Sequence, residues 1–303
     1  MGGADIIPGV SGGTMALVTG IYERLVTAIS HVDTVLLGEI RRRRWLAAAE
    51  HIDLTFLVVL GLGILTGVGC MSQLMHYLLD EHVELTLATF FGLILASSFV
   101  VARSVEQWNA CKAAWLVAGA CFAYWIVGLP ISEEVTDSGI YLFICGMTAI
   151  CAMILPGISG AFILLIMGQY EYVTGIIKGL PRGEASINDI VSLAIFAAGC
   201  GIGLLSFSKF LRWLLARYHE QTMAVLCGFI IGSLRRVWPF KIWPEEGPTI
   251  KTQYDNILPA SFDGHVALAL VLAVAAIVFV VFIDWISRRE QEVDREEGAE
   301  ARG

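Results

Sequence analysis

The chain has 303 residues, of which 56% are hydrophobic and 16% are charged, and its mean hydropathy is +0.72. Because soluble domains carry about a quarter charged residues, this composition excludes a soluble globular protein and indicates a multi-pass membrane protein. The formal net charge of −8 comes partly from the acidic stretch 290–300, and it gives no reason to expect a nucleic-acid partner. The seven cysteines lie in or beside apolar runs without metal-ligand spacing, so we expect no metal and no cofactor.

Taken in chain order, the apolar segments predict the spanning helices. A transmembrane helix needs about 20 predominantly apolar residues. Six stretches approach that length, and the fifth of them is short: 53–79, 85–103, 113–129, 189–215, 222–237 and 265–286. The beginning of the chain lacks the charged and apolar regions of a cleavable signal peptide, so we expect the internal apolar segments to direct insertion.

A short phrase containing Pro, Gly and Ser occurs twice. Residues 8–13 read Pro-Gly-Val-Ser-Gly-Gly and lead through an apolar run to Gly-Ile-Tyr-Glu at 20–23. Residues 156–160 read Pro-Gly-Ile-Ser-Gly and lead to Gly-Gln-Tyr-Glu at 168–171, at a constant offset of 148. We call residues 8–14 motif 1 and residues 156–160 motif 2. Apolar segments broken by Pro and Gly at corresponding places in two halves are typical of transporters built from internal repeats.

Motif 2 separates two apolar runs, 139–154 and 157–177. Because Pro removes a backbone donor and Gly loosens the chain, two half-helices forming a re-entrant hairpin are predicted there rather than one straight helix. Motif 1 should form the same structure, although only seven residues precede its Pro8.

The repeat continues beyond the motifs at an offset of 136, with 12 additional residues in the first half near the arginines 41–44. Each repeat is predicted to contain one re-entrant broken helix plus three transmembrane helices, over 1–135 and 139–287. Residues 288–303 are predicted to form a disordered acidic cytoplasmic tail. An odd number of crossings turns the second repeat upside down. The predicted fold class is therefore an all-α polytopic membrane protein with inverted-topology internal repeats.

Basic residues predict the orientation in the inner, cytoplasmic membrane. Positive residues favour the cytoplasmic side. The larger group falls on one side and places both termini in the cytoplasm: Arg41, Arg42, Arg43, Arg44, Arg103, Lys112, Lys209, Arg212, Arg217, Arg288 and Arg289. A smaller group falls on the other side: Lys178, Arg182, Arg235, Arg236, Lys241 and Lys251.

The two motifs have the chemistry of an anion site. A broken helix in the membrane leaves backbone N–H groups to be satisfied at the start of its second half, where the helix dipole is positive. Glycines leave that end open, and Ser adds a hydroxyl, so a phosphate or carboxylate can bind. A kink with a Ser cap is the structural alternative. The candidate binding residues are Pro8, Gly9, Ser11, Gly12, Gly13, Thr14, Pro156, Gly157, Ser159 and Gly160.

Four charged residues beside the motifs are candidates for coupling or gating. Glu23 and Glu171 each lie 15 residues after the motif proline. They can bind a proton or can simply be carboxylates at the membrane surface beside a Tyr. Arg24 can counter a phosphate or extend towards headgroups. Asp5, at the mouth of motif 1, can cap the half-helix or repel anions.

The stretches 4–16, 155–160 and 168–171 resemble the PopT family of polyprenyl-phosphate translocases of bacteria and archaea, formerly a domain of unknown function. The resemblance spans nearly the whole chain except the acidic tail, although family members usually have a fuller apolar segment before motif 1. It implies return of undecaprenyl phosphate from the outer to the cytoplasmic leaflet, so that the carrier is reused in envelope polysaccharide and peptidoglycan synthesis. It also implies that the two Pro-Gly-x-Ser-Gly segments hold the phosphate of the lipid.

Two other functions remain open from the residues. A membrane phosphatase acting on undecaprenyl diphosphate also uses inverted re-entrant loops, but it needs Arg and His in its loops, and neither motif contains them. A small-anion channel or exchanger uses Gly, Ser and Pro at helix ends in the same way. A transporter can be coupled to protons and can form a homo-oligomer within the membrane lipids, and the sequence decides neither point.

Overall fold

In a computed structural model, the chain is described over residues 1–5, 11–132, 138–183, 185–242, 255–259 and 261–300. Within these ranges the structure is helical apart from turns and one isolated β-bridge, between Lys241 and Asn256. The helices are α1 Gly2–Asp5, α2 Gly12–Val18, α3 Tyr22–Ser30, α4 Thr34–Arg41, α5 Trp45–His51, α6 Leu54–Glu81, α7 Val83–Arg103, α8 Ala110–Val127, α9 Gly139–Ile154, α10 Gly160–Ile166, α11 Tyr170–Gly179, α12 Ile187–Arg217, α13 His219–Val237 and α14 Gly264–Glu300, with a 3₁₀ turn at Leu180–Arg182.

Among the described residues, five helices are long and apolar enough to cross a membrane: α6, α7, α8, α12 and the Gly264–Ile286 part of α14. The multi-pass prediction is therefore confirmed. The predicted span 222–237 became α13, which is less apolar because it starts with His-Glu-Gln-Thr and ends with two arginines. It nevertheless supplies some of the most buried side chains, Leu226 and Ile230 among them, because it packs inside the bundle.

Helix α14 continues through Glu300, beyond the apolar part that ends at Ile286. The backbone of 288–300 is thus helical, whereas the sequence analysis expected a disordered tail from 288. The extension is rich in Glu and Arg, which have high intrinsic helix propensity, and the preceding helix provides the nucleus.

Helices α8 and α13 pack side by side and run in the same direction. Lys112 forms an ion pair with Glu220 near the start of both helices. Near their ends, Arg235 donates a hydrogen bond to the carbonyl of Tyr124 (3.1 Å). We call the end of the bundle with the Lys112–Glu220 pair face A and the opposite end, with Arg235, face B.

Helices α7 and α14 form a second parallel pair. His265 lies 3.3 Å from Glu84 near the starts of the helices, and Arg103 lies 3.6 Å from Asp284 nearer their ends. The two pairs run in opposite directions, because Phe91 near the start of α7 packs against Trp238 just after the end of α13. Helices α7 and α13, which occupy corresponding places in the two predicted repeats, are therefore antiparallel.

Glycines at matching repeat positions make these close contacts possible. A Cβ atom at Gly92 of α7 would lie 2.2 Å from the carbonyl oxygen of Ala273 in α14. A Cβ atom at Gly228 of α13 would lie 2.2 Å from the carbonyl oxygen of Leu116 in α8. These two glycines are 136 residues apart, the offset that relates the spanning helices. Small residues that let helix backbones approach closely are typical of packing in membranes.

Helix α9 runs alongside α12 towards the middle of the bundle, and α10 returns against α9. The hydroxyl of Tyr141 near the start of α9 donates to the carbonyl of Met167 just after α10 (2.9 Å). At the other end, a Cβ atom at Gly160 would lie 2.6 Å from the carbonyl oxygen of Ala149. The chain then bends by 116° between α10 and the segment Tyr170–Arg182. Motif 2 is thereby placed at the inner end of a pair of antiparallel segments.

Candidate functional site

The two motifs contact each other directly inside the bundle. The backbone N–H of Gly157 in motif 2 donates to the hydroxyl oxygens of Thr14 (2.8 Å) and Ser11 (3.1 Å) in motif 1. The Ser11 hydroxyl in turn donates to the carbonyl of Leu155 (3.3 Å). Ser11 and Thr14 are therefore joined to Leu155 and Gly157, more than 140 positions further along the chain, through backbone and hydroxyl groups.

Both motifs start a helix with a serine, but the two serines are used differently. Ser11 caps α2, because its hydroxyl oxygen accepts a hydrogen bond from the N–H of Thr14 (3.3 Å). Ser159 occupies the same position before α10 and makes no side-chain cap bond. Ser11 is buried, whereas Ser159 is partly exposed. The motif 2 hydroxyl is thus the more accessible of the two.

The motif glycines are required by close approach of backbones. A Cβ atom at Gly13 would lie 2.7 Å from the carbonyl oxygen of Ile154, which belongs to the chain entering motif 2. Gly157 has φ +82°, a conformation that favours glycine, and a Cβ atom there would lie 2.8 Å from both the carbonyl oxygen of Phe229 and the hydroxyl of Ser233. The junction is therefore packed backbone to backbone against α13.

In this conformation the junction is closed. Ser11 and Thr14 are each 2% exposed, and Gly12, Gly13, Pro156 and Gly157 are also buried. The Gly157 N–H that an anion would use is satisfied by the hydroxyls of motif 1. The sequence prediction that these residues lie together agrees with the geometry, whereas an open cradle does not occur in this state. Pro8 and Gly9 lie outside the described residues.

Glu23 and Arg24 lie at face A, away from the junction. Glu23 contacts His219 at the start of α13 (2.7 Å), and its side chain is 54% exposed. Arg24 makes two hydrogen bonds to Asp53 (2.6 and 3.1 Å) and stacks over the ring of Phe56. The bond from Arg24 holds the pKa of the Asp53 carboxyl below its usual value. Arg24 is thus engaged by a carboxylate rather than directed at motif 1.

The other two candidates are also peripheral. Glu171 is exposed at the start of α11, whose Tyr172 hydroxyl lies 3.0 Å from that of Ser192 near the face B end of α12. Asp5 is the last residue of α1, and its side chain lies outside the described part of the structure. Neither glutamate reaches the motif junction, which agrees with the alternative of carboxylates at the membrane surface.

Two apolar cavities, of about 500 and 590 Å³, adjoin motif 2. Both share the walls Leu155, Phe207 and Phe210, and they lie next to each other as two parts of a groove between α9 and α12 on one side and the α8–α13 pair on the other. The side chains of Phe122 and Phe210 are about half exposed on the outer surface, so the groove opens towards the membrane. We call this the aromatic groove. Leu155 links it to the junction, because its carbonyl accepts the bond from Ser11.

A group of cations lies at face B, around the end of α13. Lys241 is 8% exposed and donates to the carbonyl of Arg236 (2.7 Å). Burial, reinforced by the charges of Arg236 and Arg235, lowers the pKa of Lys241 to about 8. The Arg236 guanidinium stacks over the ring of Phe162 in α10, just beyond motif 2. The sequence analysis placed Arg235, Arg236 and Lys241 in the smaller basic group and gave none of them a role at the site.

The sequence analysis also missed the aromatic groove. Its phenylalanines stand in continuous apolar runs, where an aromatic residue facing a groove and one facing lipid look alike. No spacing in the chain distinguishes Phe207 and Phe210 from the many other apolar residues of α12. Only the packing of α12 against α8 and α13 shows which of them line a cavity.

Apolar helices that span the membrane, two broken segments that meet in the interior, and a groove open to lipid define a multi-pass membrane protein of the transporter class. The chain matches the model of a family described as undecaprenyl phosphate translocase-like over residues 1–253, and it belongs to that family.

Two curated relatives agree with this assignment. A protein of Vibrio cholerae serotype O1 named polyprenyl-phosphate transporter is 40% identical over 296 residues, covering 94% of this chain and 93% of that protein. A protein of Staphylococcus aureus with the same name is 32% identical over 258 residues, covering 79% of this chain and 83% of that protein. Both names describe transport rather than an enzymatic reaction. No solved structure matches the chain.

Proposed function

We propose that this protein translocates polyprenyl phosphate, such as undecaprenyl phosphate, across the cytoplasmic membrane without breaking a bond. In a cell it would return the carrier lipid to the cytoplasmic leaflet for another round of envelope synthesis. The names of the family and of both relatives support this substrate. The observation that carries the proposal is the direct contact between the two motifs beside a groove that opens to lipid.

The arrangement is that of inverted-topology repeats. The antiparallel course of α7 and α13 and the matching glycines Gly92 and Gly228 support this proposal. Motif 2 enters from face B as a re-entrant hairpin, α9 followed by α10, and motif 1 enters from face A. Such repeats allow a central site to open to either side of the membrane in turn. Face A, where most of the basic residues and the end of α14 lie, is the cytoplasmic side.

The phosphate is held at the motif junction. In the open state Gly157 exchanges the hydroxyls of motif 1 for a phosphate oxygen, and Ser11, Thr14 and Ser159 become available as donors. Pro8, Gly9, Gly12, Gly13, Pro156 and Gly160 shape the two helix ends so that the lipid headgroup can approach the backbone. Glu23 and Glu171, at opposite faces, are the candidates for proton coupling or gating, and Asp5 is a third.

Reconstitution tests the proposal. Purified protein in lipid vesicles should move polyprenyl phosphate between leaflets, and the double variant Ser11→Ala/Ser159→Ala should move it more slowly while inserting normally. If the wild-type protein moves no polyprenyl phosphate, with or without a proton gradient, the proposal is wrong. Release of inorganic phosphate from undecaprenyl diphosphate would identify a phosphatase instead. Anion flux that does not depend on the lipid would identify a channel or exchanger.

A further inference from the structure

The aromatic groove is elongated along the membrane normal. Along α12 and the residue that follows it, the lining runs from Ser206 to Tyr218, which at 1.5 Å per residue is about 18 Å. The hydrocarbon core of a bilayer is about 30 Å thick, so the groove covers more than half of that depth. An elongated cavity of this kind fits an extended chain better than a compact ligand.

The lining is mainly apolar beside motif 2, and Tyr218, Gln221 and Thr222 add polar side chains at the face A end. The hydroxyls of Thr148 and Ser206 face the groove, and each donates to a carbonyl of its own helix, at 2.9 and 2.6 Å. The remaining walls are largely aromatic and aliphatic side chains, including Phe122, Phe207 and Phe229. Because the hydroxyls beside motif 2 are already bonded within their helices, a polar ligand would gain little in that part of the groove, which favours a hydrocarbon.

The groove also begins where the phosphate is proposed to bind. Leu155 and Ile158 line it, and these residues flank Pro156 and Gly157 of motif 2. A lipid whose phosphate reaches the junction would therefore place the first part of its tail between α12 and the α8–α13 pair. The two parts of the groove follow one another along α12, which suits a lipid with a single extended chain.

We propose that the aromatic groove holds the polyprenyl chain of the transported lipid, next to the phosphate, during translocation. This inference rests on the proposed function and adds the residues that recognise the tail. The groove then discriminates a single branched chain from the paired acyl chains of phospholipids, because a diacyl lipid would have to leave one chain outside. The motifs then recognise the charge of the substrate, and the groove recognises its hydrocarbon chain.

Photocrosslinking of the wild-type protein tests the inference without any substitution. The probe is a polyprenyl phosphate with a diazirine in the prenyl units nearest the phosphate, added to the full chain in vesicles. Crosslinks should concentrate on the groove segments of α8, α9, α12 and α13. Labelling that spreads equally to the outward face of α6, which includes Val58 and Leu62, would overturn the inference, as would equal competition by excess phosphatidylglycerol.

A cavity-filling variant tests the same inference by function. Ser206→Phe places a ring in the groove. The Ile202 carbonyl loses the bond from the serine hydroxyl but is already bonded within its helix, so folding should be retained. Overpacking the groove should lower crosslinking and translocation by about tenfold. The matched control is Ala198→Phe, at an exposed position of α12 that does not line the groove.

The possible outcomes separate the two proposals. If the wild-type protein translocates the lipid and Ser206→Phe is as active as Ala198→Phe, the groove is not the tail site, although the transport function stands. If the wild-type protein does not translocate it, the proposed function itself fails. Should Ser206→Phe prove unstable, Phe210→Leu removes an aromatic wall instead and should also reduce crosslinking to the groove.

Discussion

At the scale of single residues, the bond between motif 1 and motif 2 depends on two hydroxyls. The Gly157 N–H is buried and donates to both Thr14 and Ser11. A buried backbone donor that loses its acceptor is costly, since lipid supplies no replacement. The contact between the motifs therefore centres on this amide, and removing a single oxygen atom weakens it.

Thr14→Val should lower the free energy of unfolding by about 1 kcal/mol, because Ser11 remains as a second acceptor for Gly157. For a chain of this size we expect a fall in melting temperature of about 2 °C, measured on the purified protein. Thr89→Val is the control, because the Thr89 hydroxyl donates only within its own helix, to Leu85. Equal melting temperatures for the two variants would contradict the role of Thr14.

Lys241 gives the molecule a pH-dependent stability. Its pKa is lowered to about 8 in the folded protein, so between roughly pH 8 and 10.5 the unfolded chain binds more protons than the folded one. Stability should therefore rise with pH across this window. We expect the melting temperature of the wild-type protein to increase relative to Lys241→Met between pH 8 and 10. Parallel curves for the two proteins would show that Lys241 titrates normally.

At the scale of helices, packing follows the glycines that the repeat places at corresponding positions. Gly92 and Gly228 each leave room for a carbonyl of the neighbouring helix, and Gly199 does the same for Phe143 on α9. The sequence could predict most of the spanning helices and the offset of 136 that relates them, because both are patterns of the chain itself. It could not predict α13 as the buried centre, because burial depends on which helices surround it.

Gly228→Ala should destabilise the α8–α13 pair, because the added Cβ would lie 2.2 Å from the carbonyl oxygen of Leu116. Overpacking of this kind costs about 1–3 kcal/mol, and the backbones here have little freedom to separate. Gly201→Ala is the matched control, since nothing lies within 4 Å of a Cβ atom at that position. Thermal unfolding in detergent should show a loss for the first variant and no loss for the second.

The sequence could predict that the two motifs meet, but it could not predict that their junction is closed. The doubled phrase indicated that two broken helices meet, and Ser11 and Gly157 do lie together. The closure of the junction depends on side-chain rotamers and on how deeply Gly13 approaches Ile154, which no one-dimensional pattern encodes. For Arg24 the sequence allowed both a phosphate and a surface role, and the choice required the position of Asp53.

At the scale of the whole molecule, the two faces differ in charge and in which helices end there. Face A carries the contact of Glu23 with His219 and the ion pair of Lys112 with Glu220, and face B carries Lys241 with its neighbouring arginines. The two ends of the bundle are therefore chemically distinct, although the repeats resemble each other. Which face lies on the outside of the membrane can be tested by labelling intact cells.

Single cysteines introduced at Arg42 and Arg182 should report opposite sides of the membrane, in a background without the native cysteines. Both positions are exposed, the first after α4 at face A and the second after α11 at face B. In intact cells a membrane-impermeant maleimide should label Arg182→Cys at once and Arg42→Cys only after permeabilisation. The reverse pattern would invert the proposed orientation, and labelling of both would contradict a single topology.

The closure of the junction has a consequence for an idle transporter. Since Gly157 already donates to Thr14 and Ser11, a headgroup at the proposed site would have to compete with the protein's own oxygens for the same N–H group. Water and small ions have no hydrocarbon tail, so they gain no additional contacts that would displace the hydroxyls of Thr14 and Ser11 from Gly157. A carrier sealed by its own recognition groups would remain impermeable while empty, and the membrane potential would be preserved between one cargo molecule and the next.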